Sequence, residues 1–329
     1  MLGAHPTEVI FTSGGTEADN VGVKGAFWAR RDADPARVRV VSTAVEHHAA
    51  LDPVRWLAAH QGAVGIELPV DDHGVLRIDA LAAELEARAE SAALISTQWF
   101  NNEMGAIQPV ADVVALAEAH GIPVHCDAVQ GIAHLPFDFS TSGLSTAAVS
   151  SHKVGGPVSV GALLARRGAT LAPLTHGGGQ ERRLRSGTVD VPAAWAFAVA
   201  LDEAVSGVAV EAARLAALGD RLAEAIVSLS PGAVVHGPRD GAPHIVHAII
   251  PGASSEAMLV ALDLAGIEVS PGAACTAGVV EPSHVVLAMG HPDVDALSTV
   301  RFSLGWTSTD ADVDAAIAAL PASLEQARR

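Results

Sequence analysis

The chain has 329 residues, half of them hydrophobic, a net charge of −17 with histidine neutral, and two cysteines, Cys126 and Cys275. So acidic a surface repels phosphate backbones and anionic headgroups, which argues against direct nucleic-acid or membrane binding. Two cysteines make no disulfide framework and suit a reducing compartment, and no uncharged apolar run reaches the roughly 18–20 residues of a membrane span. The opening Met1 to Glu8 lacks the basic and apolar stretches of a signal peptide, so a cytoplasmic protein is expected.

Strand-like runs alternate with helical patterns through the first half. Val9 to Thr12 reads as a strand, and Gly14-Gly15 turns it into a helix from about Thr16 to Arg30. Strands at Val38 to Ser42 and Val64 to Leu68 flank a helix from His47 to His60. A helix over Ile78 to Ala89, a strand over Ala93 to Thr97, a helix over Val110 to His120 and a strand over Ile122 to Cys126 follow. Continuous Val/Ile-rich strands joined by helices predict an α/β fold, a mostly parallel sheet covered on both faces. Helices dominate from Pro192 to Leu229. Short strands then follow near Val234, Ile245 to Ile250, Ile267 to Val269 and Val300 to Ser303, with a last helix from Ala311 to Leu324. The expected organisation is a large domain over 1–200 and a smaller α+β domain over 201–329.

Ligands of parallel sheets bind at the carboxyl ends of the strands, where the polar motifs of this chain fall. Ser150-Ser151-His152-Lys153 follows an apolar run and precedes Gly155-Gly156-Pro157, in a chain with very few lysines. A lone lysine is usually a plain surface residue. Val124-His125-Cys126-Asp127 ends a strand with a carboxylate, commonly just a turn residue. Gln130 stands three residues on, and Cys126, on the other strand face, is expected in the core. Thr12-Ser13-Gly14-Gly15-Thr16-Glu17 joins a strand to a helix start, which suits an anion. It lacks the Gly-Lys-Ser/Thr ending of a nucleotide loop. Glu46-His47-His48 opens a helix, and adjacent histidines diverge too much to share a metal. Cys275 lies among Gly and Ala in Gly272 to Gly278, where an accessible thiolate would be a nucleophile. An amine for a Schiff base, a carboxylate for a pyridinium nitrogen and a phosphate cradle are together the needs of pyridoxal phosphate.

In order, FTSGGTEADN, VEHHA, NNEMGAIQPV, HCDAVQ, SSHKVGGP, HGGGQERRLRSGT, PGAACTAG and VRFSLG resemble the cysteine desulfurases of the class V aminotransferase family, of pyridoxal-phosphate fold type I. The likeness runs over nearly the whole chain and is to the subfamily with the longer cysteine loop. It implies that Lys153 holds the cofactor covalently and later moves protons. Asp127 would pair with the pyridinium nitrogen and Gln130 with the phenolate oxygen. His47 would stack on the ring and act in proton transfer. Gly15, Thr16, Ser150 and His152 would hold the phosphate, with Thr188 reaching in from the other subunit of a homodimer. Asn102 and Arg301 would bind the substrate carboxylate, and Cys275 would take the sulfur of L-cysteine, leaving alanine and a persulfide. A sulfur-acceptor or scaffold protein, in iron–sulfur cluster or thio-cofactor synthesis, would then receive it.

Three departures stand out. The family's GPKG reads Gly156-Pro157-Val158-Ser159, and Cys126 replaces an aliphatic residue before Asp127. Several dozen residues that open the family sequence have no counterpart, so the natural protein is expected to start further upstream or this form to be poorly stable. Selenocysteine lysis, transamination and a non-catalytic relative are the alternatives, and the cysteine motif argues against transamination.

Overall fold

A computed structural model describes residues 1–239, 241–272 and 281–328. In chain order the elements are β1 (Val9–Thr12), α1 (Gly15–Ala33), β2 (Arg39–Thr43), α2 (His48–Gln61), β3 (Val64–Leu68), α3 (Ile78–Arg88), β4 (Ala92–Gln98), α4 (Val110–Glu118), β5 (Val124–Asp127), β6 (Thr146–Ser150) and β7 (Gly161–Ala165). Then come α5 (Val191–Ser206), α6 (Val208–Leu229), β8 (Val234–His236), β9 (Ile245–Ile249), α7 (Ser255–Leu264), α8 (His284–Ala288), α9 (Asp293–Ala296), β10 (Thr299–Ser303) and α10 (Asp310–Ala327).

The chain forms two compact units. The first comprises Met1–Pro69, Leu76–Phe100 and Gln108–Val208, and the second Val70–Val75, Asn101–Ile107 and Ala209–Arg329. A single cut near residue 200 does not assign the two short segments to the second unit.

The first unit is built on a seven-stranded sheet in the order β1-β7-β6-β5-β4-β2-β3. β3, β2, β4, β5 and β6 run parallel, while β7 is antiparallel to both β6 and β1. β4 to β7 are buried along their whole length, as central strands covered on both faces must be. Val41, Ile95, Val124, Ala147, Val149 and Leu164 meet Leu81, Val113, Phe197 and Leu201 in the main core. Local chemistry sets the helix ends. His47 caps α2 and Gly62, at φ 67°, ends it in the left-handed region. Asp190 caps α5 with Pro192 in its first turn.

The second unit packs helices on a three-stranded antiparallel sheet, β10-β9-β8. Its core is Leu222, Ile226, Val246, Ala248, Met258, Leu262, Val300, Phe302, Val313 and Leu320. The strand expected at Ile267 to Val269 is absent: Ile267 N–H closes α7 on Leu262, and a lone bridge joins Ser270 to Arg301. Gly266 and Pro271 bound a segment too short to continue. Conversely, β6 is a strand where the sequence suggests only an apolar run, and β7 a strand that the sequence does not suggest; their TAAVS and GALLA stretches are poor in β-branched residues. Among the described residues no single helix is long and apolar enough to cross a membrane.

Candidate active site

Thr12, Gln98, Asp127 and Ser150 close strands of the first unit's sheet, and the polar motifs collect there. The turn between β1 and α1 presses close to the sheet. A Cβ on Gly15 would come within 2.7 Å of Val129 and 3.3 Å of Ser150, and one on Gly161 within 2.7 Å of the Gly14 backbone. Only glycine lets the start of α1 sit this tightly against β6 and β7. Exposed Thr16 stands in the first turn of α1, where free backbone amides favour an anion. Glu17 fixes that turn, accepting from Ser13 N–H at 2.6 Å and pairing with Arg185 at 3.0 Å. Ser150 Oγ lies 2.9 Å from His152 Nδ1.

Asp127, His47 and Lys153 act on one another electrostatically. Asp127 is buried at the end of β5, where one carboxylate oxygen accepts from Val129 N–H at 3.0 Å. Burial raises its pKa, and the charges of His47 and Lys153 pull it back down. His47 is the N-cap of α2: its Nδ1 accepts Ala49 N–H at 3.0 Å. The neutral ring therefore carries its proton on Nε2. Burial lowers the His47 pKa, with Asp127 opposing. Lys153 lies in the short 3-10 turn Ser151–Val154 that leaves β6. The sequence holds one other lysine, Lys24, whose ammonium sits 4.5 Å over Trp56. Gln130 is half-buried in the turn beyond Asp127, and Thr188 is exposed ahead of α5.

Sequence reasoning missed two buried acids behind this group. Glu46, fully buried, accepts from Thr43 Oγ1 at 2.6 Å and Gln98 N–H at 3.0 Å, and burial lifts its pKa to about 8. Asp19 on α1 pairs with His125 on β5, both buried. The available signal was polarity out of place, a carboxylate on the apolar side of α1 and a histidine one step from Asp127 on the same strand face. Cys126 is a core thiol as expected, 1% exposed, its pKa raised by burial and then by the charges of Asp127, Glu46 and Asp19. At the altered GPKG stretch, Ser159 takes a φ of 62°, a left-handed conformation that favours glycine.

In the second unit, Arg301 lies on β10 and its Nη1 donates to the Asn102 carbonyl at 2.7 Å. That bond holds the guanidinium against the 101–107 segment of its own unit. Cys275 lies outside the described residues.

The profile of the family described as Aminotransferase class-V matches residues 1–316. The chain belongs to the class V aminotransferase family. Within it, the chain is 49% identical over 330 residues to the IscS-like cysteine desulfurase of Mycobacterium tuberculosis, spanning 100% of this chain and 84% of that protein. It is 37% identical to the cysteine desulfurase NifS of Azotobacter vinelandii, spanning 100% of this chain and 80% of that protein. A solved NifS-like protein superposes with a TM-score of 0.88 at 31% identity, over 98% of this chain and 84% of that one. The fold is thus the mostly parallel, helix-flanked sheet of pyridoxal-phosphate fold type I, with β7 as its antiparallel exception.

Proposed function

We propose that this protein is a pyridoxal-phosphate-dependent cysteine desulfurase, converting L-cysteine and an enzyme thiol to L-alanine and an enzyme persulfide. The observation that carries the reading is the mutual influence of Asp127, His47 and Lys153 at the strand ends, beside a glycine turn at the start of a helix. These residues fit the cofactor. A buried carboxylate whose pKa burial raises, with His47 and Lys153 opposing the rise, suits a protonated ring nitrogen, and the amides of Gly15 and Thr16 with Ser150 and His152 suit a phosphate. When bound, the cofactor supplies an electron sink for the substrate carbon.

The chain's own residues do the rest. Lys153 anchors the cofactor through its amine and moves a proton at Nζ. His47 covers the ring face and holds or releases a proton at Nε2, because Nδ1 is kept by Ala49 N–H. Gln130 hydrogen-bonds the phenolate oxygen. Asn102 and Arg301 bind the substrate carboxylate, the arginine as a two-pronged donor. Cys275 takes the sulfur and yields it to an acceptor protein serving iron–sulfur or thio-cofactor assembly. We further infer a cytoplasmic homodimer in which Thr188 completes the partner's phosphate site. Exposed Val191, Trp195 and Val199, at four-residue spacing on α5, support a covered surface beside it. Purified protein given pyridoxal phosphate, L-cysteine and a thiol reductant should form alanine and sulfide in equal amounts. Formation of neither would contradict the reading.

A further inference from the structure

The Asp19–His125 pair has no part in the chemistry above, yet it sits between two elements that carry it. Both side chains are at most 1% exposed. His125 Nε2 lies 3.1 Å from Asp19 Oδ1, and Nδ1 lies 2.9 Å from Thr146 Oγ1 on β6. The imidazole thus links three elements, α1, β5 and β6, by hydrogen bonds through both nitrogens. Gly22 makes room for it, since a Cβ there would fall 2.4 Å from the ring. α1 starts at Gly15, so the phosphate turn and Asp19 lie within about one helical turn of each other. His125 and Asp127 are two residues apart on β5 and share a strand face.

We propose that the buried Asp19–His125–Thr146 chain is a positioning device that rivets the phosphate-holding start of α1 to the strand carrying Asp127, fixing the two ends of one cofactor site at a set separation. The proposal rests on the reading of this site as one for pyridoxal phosphate. Electrostatics agree with the geometry. Burial, then the charges of Asp127 and Glu46, hold the Asp19 carboxyl well above its usual pKa, and burial lowers the His125 pKa to about 3. Burial disfavours the charged form of both partners, so hydrogen bonding rather than an ion pair joins them.

The test is titration of the purified protein with pyridoxal phosphate, following the visible absorption of bound cofactor, for the wild type, Asp19→Ala, Asp19→Asn, His125→Phe and Thr146→Val. Partners behind direct ligands elsewhere are worth about 10–100-fold in affinity, so Asp19→Ala and His125→Phe should bind at least about tenfold more weakly, with a displaced absorption maximum. Asp19→Asn, which can still hydrogen-bond His125, should restore both affinity and maximum. Thr146→Val removes one hydroxyl at nearly constant shape and should weaken binding by several-fold, which keeps the test decisive if Asp19→Ala fails to fold. Wild-type affinity and maximum in Thr146→Val and His125→Phe, or an Asn variant no better than Ala, would overturn the proposal and leave the functional reading intact. A wild type that takes up no pyridoxal phosphate would overturn the functional reading first.

Discussion

Lys153 is the amine proposed to hold the cofactor, and Lys24, the chain's other lysine, is placed over Trp56 instead. Lys153→Ala should therefore abolish borohydride-fixed cofactor and the visible band of the bound form; a variant that is still covalently labelled would refute the assignment. Glu46 gives a pH dependence. Its folded pKa is about 8 against an ordinary 4.5, so between those values the folded state holds a proton that the unfolded state has lost. Its contribution is full below about pH 4.5 and declines as pH rises towards 8, by at most about 1.4 kcal/mol per pH unit. Glu46→Gln cannot ionise, and its melting temperature should hold between pH 6 and 8 where that of the wild type falls, pH values being about those of the window just derived. Parallel melting curves for the two proteins would contradict the burial argument.

At the scale of elements, the first-half strands and helices were legible because long Val/Ile runs and helix periods differ sharply. The strands β6 and β7 were not, because Ala-rich segments owe their state to burial between neighbours rather than to propensity. The candidate site is legible because Lys153, Asp127 and His47 interrupt apolar patterns at element ends. Asp19 and His125 interrupt such patterns too, but their meaning depends on an approach between α1 and β5 that no local pattern announces. Gly22 carries that approach. Gly22→Val would drive side-chain atoms into the His125 ring and should cost about 1–3 kcal/mol in urea unfolding, as overpacking commonly does. An unchanged midpoint would show that the two elements are not held so closely.

For the whole molecule, one of the two cysteines can be placed. Cys126 is sealed in the core with a raised pKa, which leaves Cys275 as the thiol proposed to receive sulfur. The most direct test of the desulfurase assignment is to mix the cofactor-loaded protein with L-cysteine in the absence of reductant, count the alanine formed, and map the added sulfur by peptide mass spectrometry. One alanine per enzyme-bound sulfur is expected, with the sulfur on Cys275, Cys126 unmodified, and both products lost in Cys275→Ala. Undiminished alanine and sulfide from Cys275→Ala, or sulfur found on Cys126, would contradict the assignment.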